Sequence, residues 1–197
     1  MYLYGASGHA KVIIDILKSQ KKELSGLIDD NESITEILGY SVSQTLPDDS
    51  SLIVSIGDNK IRKKVAHRFA HHKFETAVHS SAIVSEYSTI KEGTVVMQGA
   101  IIQSSCSVGK HCIINTGASV DHDCKIGDFV HISPQSILCG DITIGEGTWI
   151  GAGSTIIEGV TIGKWCVIGA GSVVTKDIPD NMLAVGKRCR IIKEIQL

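Results

Sequence analysis

The sequence predicts a Rossmann-like α/β domain followed by a parallel β-helix of hexapeptide repeats. Three observations carry that reading. Over the first ~75 residues, short apolar runs alternate with amphipathic stretches. From Val78 to Val174 a Val, Ile or Leu then recurs at every sixth position without a break, and the residue four places after each is Ala, Ser, Thr, Cys, Val or Ile. The 20 glycines, set against 3 prolines and 5% aromatics, suit a thin-cored architecture rich in backbone.

Taken in order, Tyr2-Leu3-Tyr4 reads as a strand, GASGHA as a turn, and Lys11 to Ser19 as a helix with Val12, Ile13, Ile16 and Leu17 on one side. A second strand covers Leu24 to Ile28 and ends at Asp29-Asp30. A third, Leu52 to Ile56, ends at Gly57-Asp58-Asn59. A helix from Lys60 to His71 and a short strand near Phe74 to Val78 complete the domain. Strands alternating with helices imply a parallel sheet.

The G-A-S-G-H-A turn follows a strand and opens a helix, which is the context of a backbone cradle for phosphate. Its glycines, Gly5 and Gly8, are separated by two residues rather than one, so it is not G-x-G-x-x-G, and a plain tight turn remains the alternative. Asp29 lies 21 residues after Gly8 at a strand end, where an acid bonds ribose hydroxyls. Gly57 ends the next strand on the same ligand-binding edge.

The seventeen hexads span 102 residues. Three hexads make one triangular coil of 18 residues, with the aliphatic residue inward and the small residue beside it. Residues 18 apart then stack about 4.8 Å from each other. His122 falls in a column with Gly140 and Glu158, His131 under Trp149 and Val167, and Pro134 under Ala152 and Ala170. The last column exposes backbone to a long thin ligand, or merely allows tight corners.

His122 takes the third place of its hexad, which projects outward. An imidazole there suits a general base near neutral pH, and backbone N–H groups near Gly140 are candidates for an oxyanion hole. No G-x-S-x-G elbow is present and the repeat cysteines read as buried, so direct transfer without an acyl-enzyme is expected. His79 and His111 read as residues without a chemical role. So do His67, His71 and His72, on a basic solvated face with Lys60, Arg62, Lys63, Lys64 and Arg68.

Composition narrows the partners. A net charge of -2 and a pI near 6.4 give no reason to expect nucleic acid or anionic membrane. No apolar run approaches the ~18 residues of a membrane span, and the N-terminus lacks the charged region of a signal peptide. There is no C-x-x-C, and Cys106, Cys112, Cys124 and Cys166 are spaced by multiples of six. They read as core residues in a reducing cytoplasm, with no metal site expected.

The run YGASGHAKVIIDIL, then LIDD, SIGDNKIRKKV and INTGASVDHDCKIGDFVHISP, resembles one branch of the hexapeptide-repeat acyltransferases. These are the nucleotide-amino-sugar N-acetyltransferases of the bacillosamine pathway and the similar sialic-acid O-acetyltransferases. The resemblance covers nearly all of the chain. It implies a left-handed β-helix, a homotrimer, and an acetyl-CoA site in the cleft between adjacent β-helices. Under it His122 is the general base and Asp123 the acid that raises its basicity. The N-acetyltransferases usually carry Glu at that place, so Asp123 leans toward the O-acetyltransferases. His131, with the backbone at Ala152 and Ala170, would meet acetyl-CoA. Ser7, Gly8, His9, Asp29, Asp30 and Gly57 would form the nucleotide-sugar pocket, and His9 would reach a neighbouring chain's active site. The family commonly ends in G-x-P-A, whereas Gly186 here is followed by Lys187-Arg188-Cys189.

The resulting division is an α/β nucleotide-sugar domain over 1–77, a catalytic β-helix over 78–180 and a tail over 181–197. The expected reaction is acetyl transfer from acetyl-CoA to the amino group of a nucleotide-linked sugar, a UDP-4-amino-4,6-dideoxy sugar in the leading case. O-acetylation of a sialic-acid-like sugar is the rival within the class. A trimeric zinc enzyme of carbonic-anhydrase type, drawing on His111, His122 and His131, and a scaffold without chemistry are the rivals outside it.

Overall fold

The computed structural model describes residues 1–196. In the α/β domain, β1 (Tyr2–Tyr4) leads into α1 (Gly8–Ser19), β2 (Gly26–Ile28), a hairpin of β3 (Glu36–Ile37) and β4 (Tyr40–Ser43), then β5 (Ser51–Val54), α2 (Asn59–Arg68) and β6 (Lys73–Phe74). The sheet order is β3-β4-β2-β1-β5-β6, parallel except at the β3–β4 hairpin. Helix α1 forms because Ala10, Ile13, Ile14 and Leu17 recur at helical spacing, and all four are buried.

The hairpin was not foreseen. It turns through Leu38 at φ 51 and Gly39 at φ 84, a primed turn that usually announces itself as Asn-Gly. Leucine in the left-handed region hides that signal.

The repeat behaves as read. Seventeen two-residue strands run from Ala77–Val78 to Val173–Val174, each ending on the aliphatic residue of its hexad. They stack into three parallel sheets, here faces I, II and III. The core is a column of aliphatic residues with small partners, including the buried and free Cys106, Cys112, Cys124 and Cys166.

The three faces differ outside. Face I begins with Ala77, Val95 and Ile113, which are buried under α1 in one core with Leu3, Ile13 and Leu17. It continues with His131, Trp149 and Val167, of which Trp149 is exposed and the other two are partly buried. Face II shows Ile83, Ile101, Ser119, Ile137, Thr155 and Val173, and face III the polar Thr89, Ser107, Lys125, Thr143 and Thr161.

The tail belongs to the solenoid. Strand Met182–Val185 adds to face I in parallel, and Arg190–Glu194 folds back on it antiparallel.

A buried arginine joins the two parts. Arg62 is 1% exposed. Its Nε donates to the His111 carbonyl at 2.8 Å, Nη1 to those of Ile56 and Gly57 at 2.9 Å each, and Nη2 to Asn59 Oδ1 at 2.7 Å and the Phe129 carbonyl at 3.0 Å. The solvated basic face is therefore corrected at Arg62, and also at His72, which is buried. The signal was present, since Arg62 shares helical spacing with Val65, Ala66 and Phe69.

Candidate active site

His122 lies at the corner between faces II and III, with its side chain 60% exposed. Its Nδ1 donates to Asp123 Oδ2 at 2.8 Å, and its backbone N–H donates to Asp121 Oδ1 at 2.8 Å. Asp123 adopts φ 61, a left-handed turn that aspartate tolerates, and this conformation brings its carboxylate back to the ring. The hydrogen bond that the ring donates to the Asp123 carboxylate raises the His122 pKa above its ordinary value. Nε2 makes no protein hydrogen bond among the described residues. The result is a basic imidazole with one nitrogen oriented and the other free.

Gly140, one coil on, packs against that ring. A Cβ at Gly140 would stand 2.5 Å from His122 Cε1 and 2.7 Å from Nε2. Its carbonyl accepts from Gly159 N at 3.0 Å, while its own N–H donates to no described residue.

His131 is a different histidine. It sits on face I, stacked on Trp149 at 5.9 Å and 12°. Asn115 Nδ2 donates to its Nε2 at 3.1 Å. Burial first, then the positive charge of Arg62 and the proximity of His9, push its pKa down to about 3. His9 is held at about 4 by burial and Arg62, and its Nε2 has no partner. Trp149, 48% exposed, is fixed by its Nε1 donating to Ser133 Oγ at 2.7 Å.

Two cavities flank Trp149. One of about 440 Å³ follows the predicted column and is lined by Asn115, His131, Pro134, Trp149, Ala152 and Ala170. The Ala152 and Ala170 N–H groups donate to no described residue. The other, of about 380 Å³, lies between Gly57, Asp58 and Asn59 of the α/β domain and His131, Trp149 and Trp165 of the solenoid. Asn59 Nδ2 closes that seam on the Gly147 carbonyl at 3.0 Å.

The glycine turn opens α1 as expected. Gly5, at φ 109, admits no side chain, since a Cβ would meet Ser55 O at 3.0 Å. Ser7 occupies the N-cap of α1 without making a side-chain cap bond. Gly8 is exposed beside it. Asp29 holds the turn, its Oδ2 accepting from Ala6 N at 2.7 Å and Oδ1 from Asn31 N at 2.9 Å. Asp30 instead pairs with Arg68 at 3.0 Å.

Among the described residues, no group of three or more His, Cys, Asp or Glu is placed to hold a metal ion. His111 is stacked on Phe129 at 5.1 Å, apart from both His122 and His131. The structure thus brings His9, His131 and Gly57 together on one side, and His122, Asp123 and Gly140 at another corner. Sequence reasoning missed Asn115, Trp149, Asn59 and Arg62 as parts of these sites.

The chain resembles known proteins over both parts. Residues 1–69 match the PglD N-terminal domain, and residues 141–176 match the bacterial transferase hexapeptide family (six repeats). A solved variant of perosamine N-acetyltransferase from Caulobacter crescentus, in complex with CoA and GDP-perosamine, is 36% identical. It superposes with a TM-score of 0.92 over 98% of this chain and 96% of that one. The acetyltransferase domain of PglB from Neisseria gonorrhoeae, in complex with acetyl coenzyme A, is 31% identical. Its TM-score is 0.90, over 97% of this chain and 98% of that one. UDP-N-acetylbacillosamine N-acetyltransferase of Bacillus subtilis is 38% identical over 111 residues, which cover 47% of this chain and 49% of that protein. An uncharacterized mimivirus protein, L142, is 32% identical over 98 residues, 20% of its length. The match thus spans half or less of these two sequence relatives.

Proposed function

The chain belongs to the hexapeptide-repeat sugar acetyltransferases, and from that premise we propose that it transfers the acetyl group of acetyl-CoA to the amino group of a nucleotide-linked amino sugar. The observation that carries the reading is His122, oriented by Asp123 and resting on a glycine whose N–H is unengaged. As the sugar nitrogen adds to the thioester carbonyl, Nε2 takes its proton. The Gly140 N–H stabilises the oxygen that gains charge, and the C–S bond then breaks as the proton held on Nε2 passes to the sulfur, releasing CoA as the thiol. Acetyl-CoA lies along the Ala152–Ala170 groove and meets His131. The nucleotide occupies the edge formed by Ser7, Gly8, His9, Asp29 and Gly57. Asp29 serves by holding the turn, and Asp30 by its pair with Arg68.

His122 and the groove stand at the two corners that bound face II. That face presents Ile83, Ile101, Ile137 and Val173 to the outside. An apolar face of this kind supports a homotrimer in which face II packs against the next copy. The His122 corner of one chain is then completed by its neighbour's groove. The free cysteines support a cytoplasmic setting, and no described helix is long and apolar enough to cross a membrane.

N-acetylation is favoured over O-acetylation because the perosamine and UDP-N-acetylbacillosamine relatives are N-acetyltransferases, despite the lean that Asp123 gives the other way. The test is CoA release with acetyl-CoA and UDP- or GDP-linked 4-amino-4,6-dideoxy sugars. Release with one of these and loss of it in His122→Ala is expected. Acetylation of a sialic acid and of no nucleotide-linked amine overturns the reading.

A further inference from the structure

Resting on the acetyltransferase reading above, we propose that the Cys106 and Cys124 thiols position His122 and Gly140, and that oxidation of this pair to a disulfide by a peroxide reversibly turns transfer off. Among the six cysteines these are the two spaced by 18 residues. Ser107 pairs with Lys125 on face III, so the residues just before them stack one coil apart, at the corner that carries His122. Both are buried, at 2% and 0% exposure.

Each thiol donates to the carbonyl directly ahead of a group in the site. Cys106 Sγ donates to the Asp121 carbonyl at 2.9 Å, one residue before His122. Cys124 Sγ donates to the Cys139 carbonyl at 3.2 Å, one residue before Gly140. Elsewhere in the solenoid a serine fills the same place. Ser136 Oγ donates to the Gly151 carbonyl and Ser154 Oγ to that of Gly169, at 3.0 Å each. A cysteine there adds one property that serine lacks, which is reaction with a second thiol. The two sulfurs also act on one another. The Cys124 thiol, and after it the Cys124 N–H, hold the Cys106 pKa below its ordinary value against the effect of burial. The Cys106 thiol, followed by burial, drives that of Cys124 up. Cys106 is thus the readier thiolate.

The stacking permits the bond and makes it disruptive. Stacked Cα atoms lie about 4.8 Å apart, inside the roughly 4.4–6.8 Å that a disulfide spans. Stacked Cβ atoms start at a similar separation, whereas a disulfide needs about 3.5–4.5 Å, so bridging draws the two turns together. It also removes both S–H donors, and the Asp121 and Cys139 carbonyls lose their partners. With hydrogen peroxide, the Cys106 thiolate attacks one oxygen and the O–O bond breaks, giving a sulfenic acid and a hydroxide that takes up the Cys106 proton as water. The Cys124 sulfur then displaces the sulfenic hydroxyl, which leaves with the Cys124 proton as a second water. The thiols are oxidised to one S–S bond and the peroxide is reduced to two waters.

The test compares wild type with Cys106→Ala, Cys106→Ser and Cys124→Ser, before and after hydrogen peroxide and again after dithiothreitol. Peptide mass mapping reads the bridge, CoA release reads transfer, and NMR titration of the His122 ring reads its turn. In treated wild type the Cys106–Cys124 bridge is expected, with kcat lowered roughly tenfold or more at unchanged KM. The His122 midpoint then falls toward its ordinary value of about 6.5, and dithiothreitol reverses all three. Before treatment, serine restores the rate that Cys106→Ala loses, and the serine variants are insensitive to peroxide. Absence of the bridge, full kcat in the bridged protein, or equal peroxide loss in the serine variants overturns the proposal. If reduced wild type transfers no acetyl group, the acetyltransferase reading fails separately. The thiol pair is then decided without turnover, since a bridge that leaves the His122 titration unmoved overturns it.

Discussion

Two histidines in this solenoid rest on glycines one coil away, and the fold uses the same contact for opposite ends. His111 packs against Gly93, where a Cβ would overlap its Nδ1, and His122 packs against Gly140. His111 is 4% exposed, stacked on Phe129 and edge-on to Phe74 at 4.5 Å. Burial and the Arg62 charge push its pKa down to about 4. His122 faces solvent and a carboxylate that pulls its pKa up. The repeat fixes where each ring lies, and the surroundings decide whether the ring is an acid-sensitive part of the core or a base.

Removing one ring at a time separates the two roles. His122→Ala lowers kcat by roughly 10²–10⁴-fold with Tm unchanged, because the exposed side chain supports no core. A Tm scan beside a CoA-release assay reads both. The largest structural effect is expected at the seam. Arg62→Met leaves the Ile56, Gly57, His111 and Phe129 carbonyls without their donor. At about 1–3 kcal/mol for each buried orphan, partly relieved by water, urea unfolding loses roughly 3 kcal/mol or more.

The glycines separate the two regions directly. Gly93→Ala, at φ 73 against a locked ring, costs about 1–3 kcal/mol in urea unfolding. Gly140→Ala displaces a solvent-facing ring and leaves stability within about 0.5 kcal/mol, while kcat falls about tenfold as Nε2 is moved. Equal stability losses in the two variants would refute the contrast.

Acidity gives the smallest and most diagnostic effects. The unfolded chain protonates His9, His111 and His131 near 6.5, while the folded chain resists to about 4, 4 and 3. The unfolded state binds more protons in that interval. Stability is therefore intact above about pH 6.5 and declines as pH falls toward 4. The His122 limb has the same direction but lies at higher pH, because activity needs the neutral base and rises through a pKa that Asp123 raises above its ordinary value. Asp123→Asn moves that limb to lower pH and reduces the plateau rate, which a kcat/KM profile detects.

The solenoid was fully legible because its period is set by covalent spacing. Each aliphatic residue from Val78 to Val174 ends a strand, and the column of His122 on Gly140 follows from counting 18. The outward direction of His122 and the small-residue groove follow from the same arithmetic. The α/β domain was legible in its strands and helices, yet Arg62 and His72 were misplaced. Arg62 shares helical spacing with Val65, Ala66 and Phe69, but the His111 and Phe129 carbonyls that it reaches lie in the second domain, and no local pattern encodes them. Asn115 and Trp149 escaped for a related reason: each is an ordinary hexad residue until the α/β domain places Gly57 and His9 beside His131.

A stack of parallel strands has no natural end, since its last strand offers the next chain the same unpaired groups that its first one did. Here the strand Arg190–Glu194 reverses direction on Met182–Val185 and breaks the pattern that a further coil would have to copy. It also puts Arg190 and Lys193 on the outermost edge, where like charges repel a second copy. End-to-end stacking of a second copy on face I is thereby disfavoured by this hairpin.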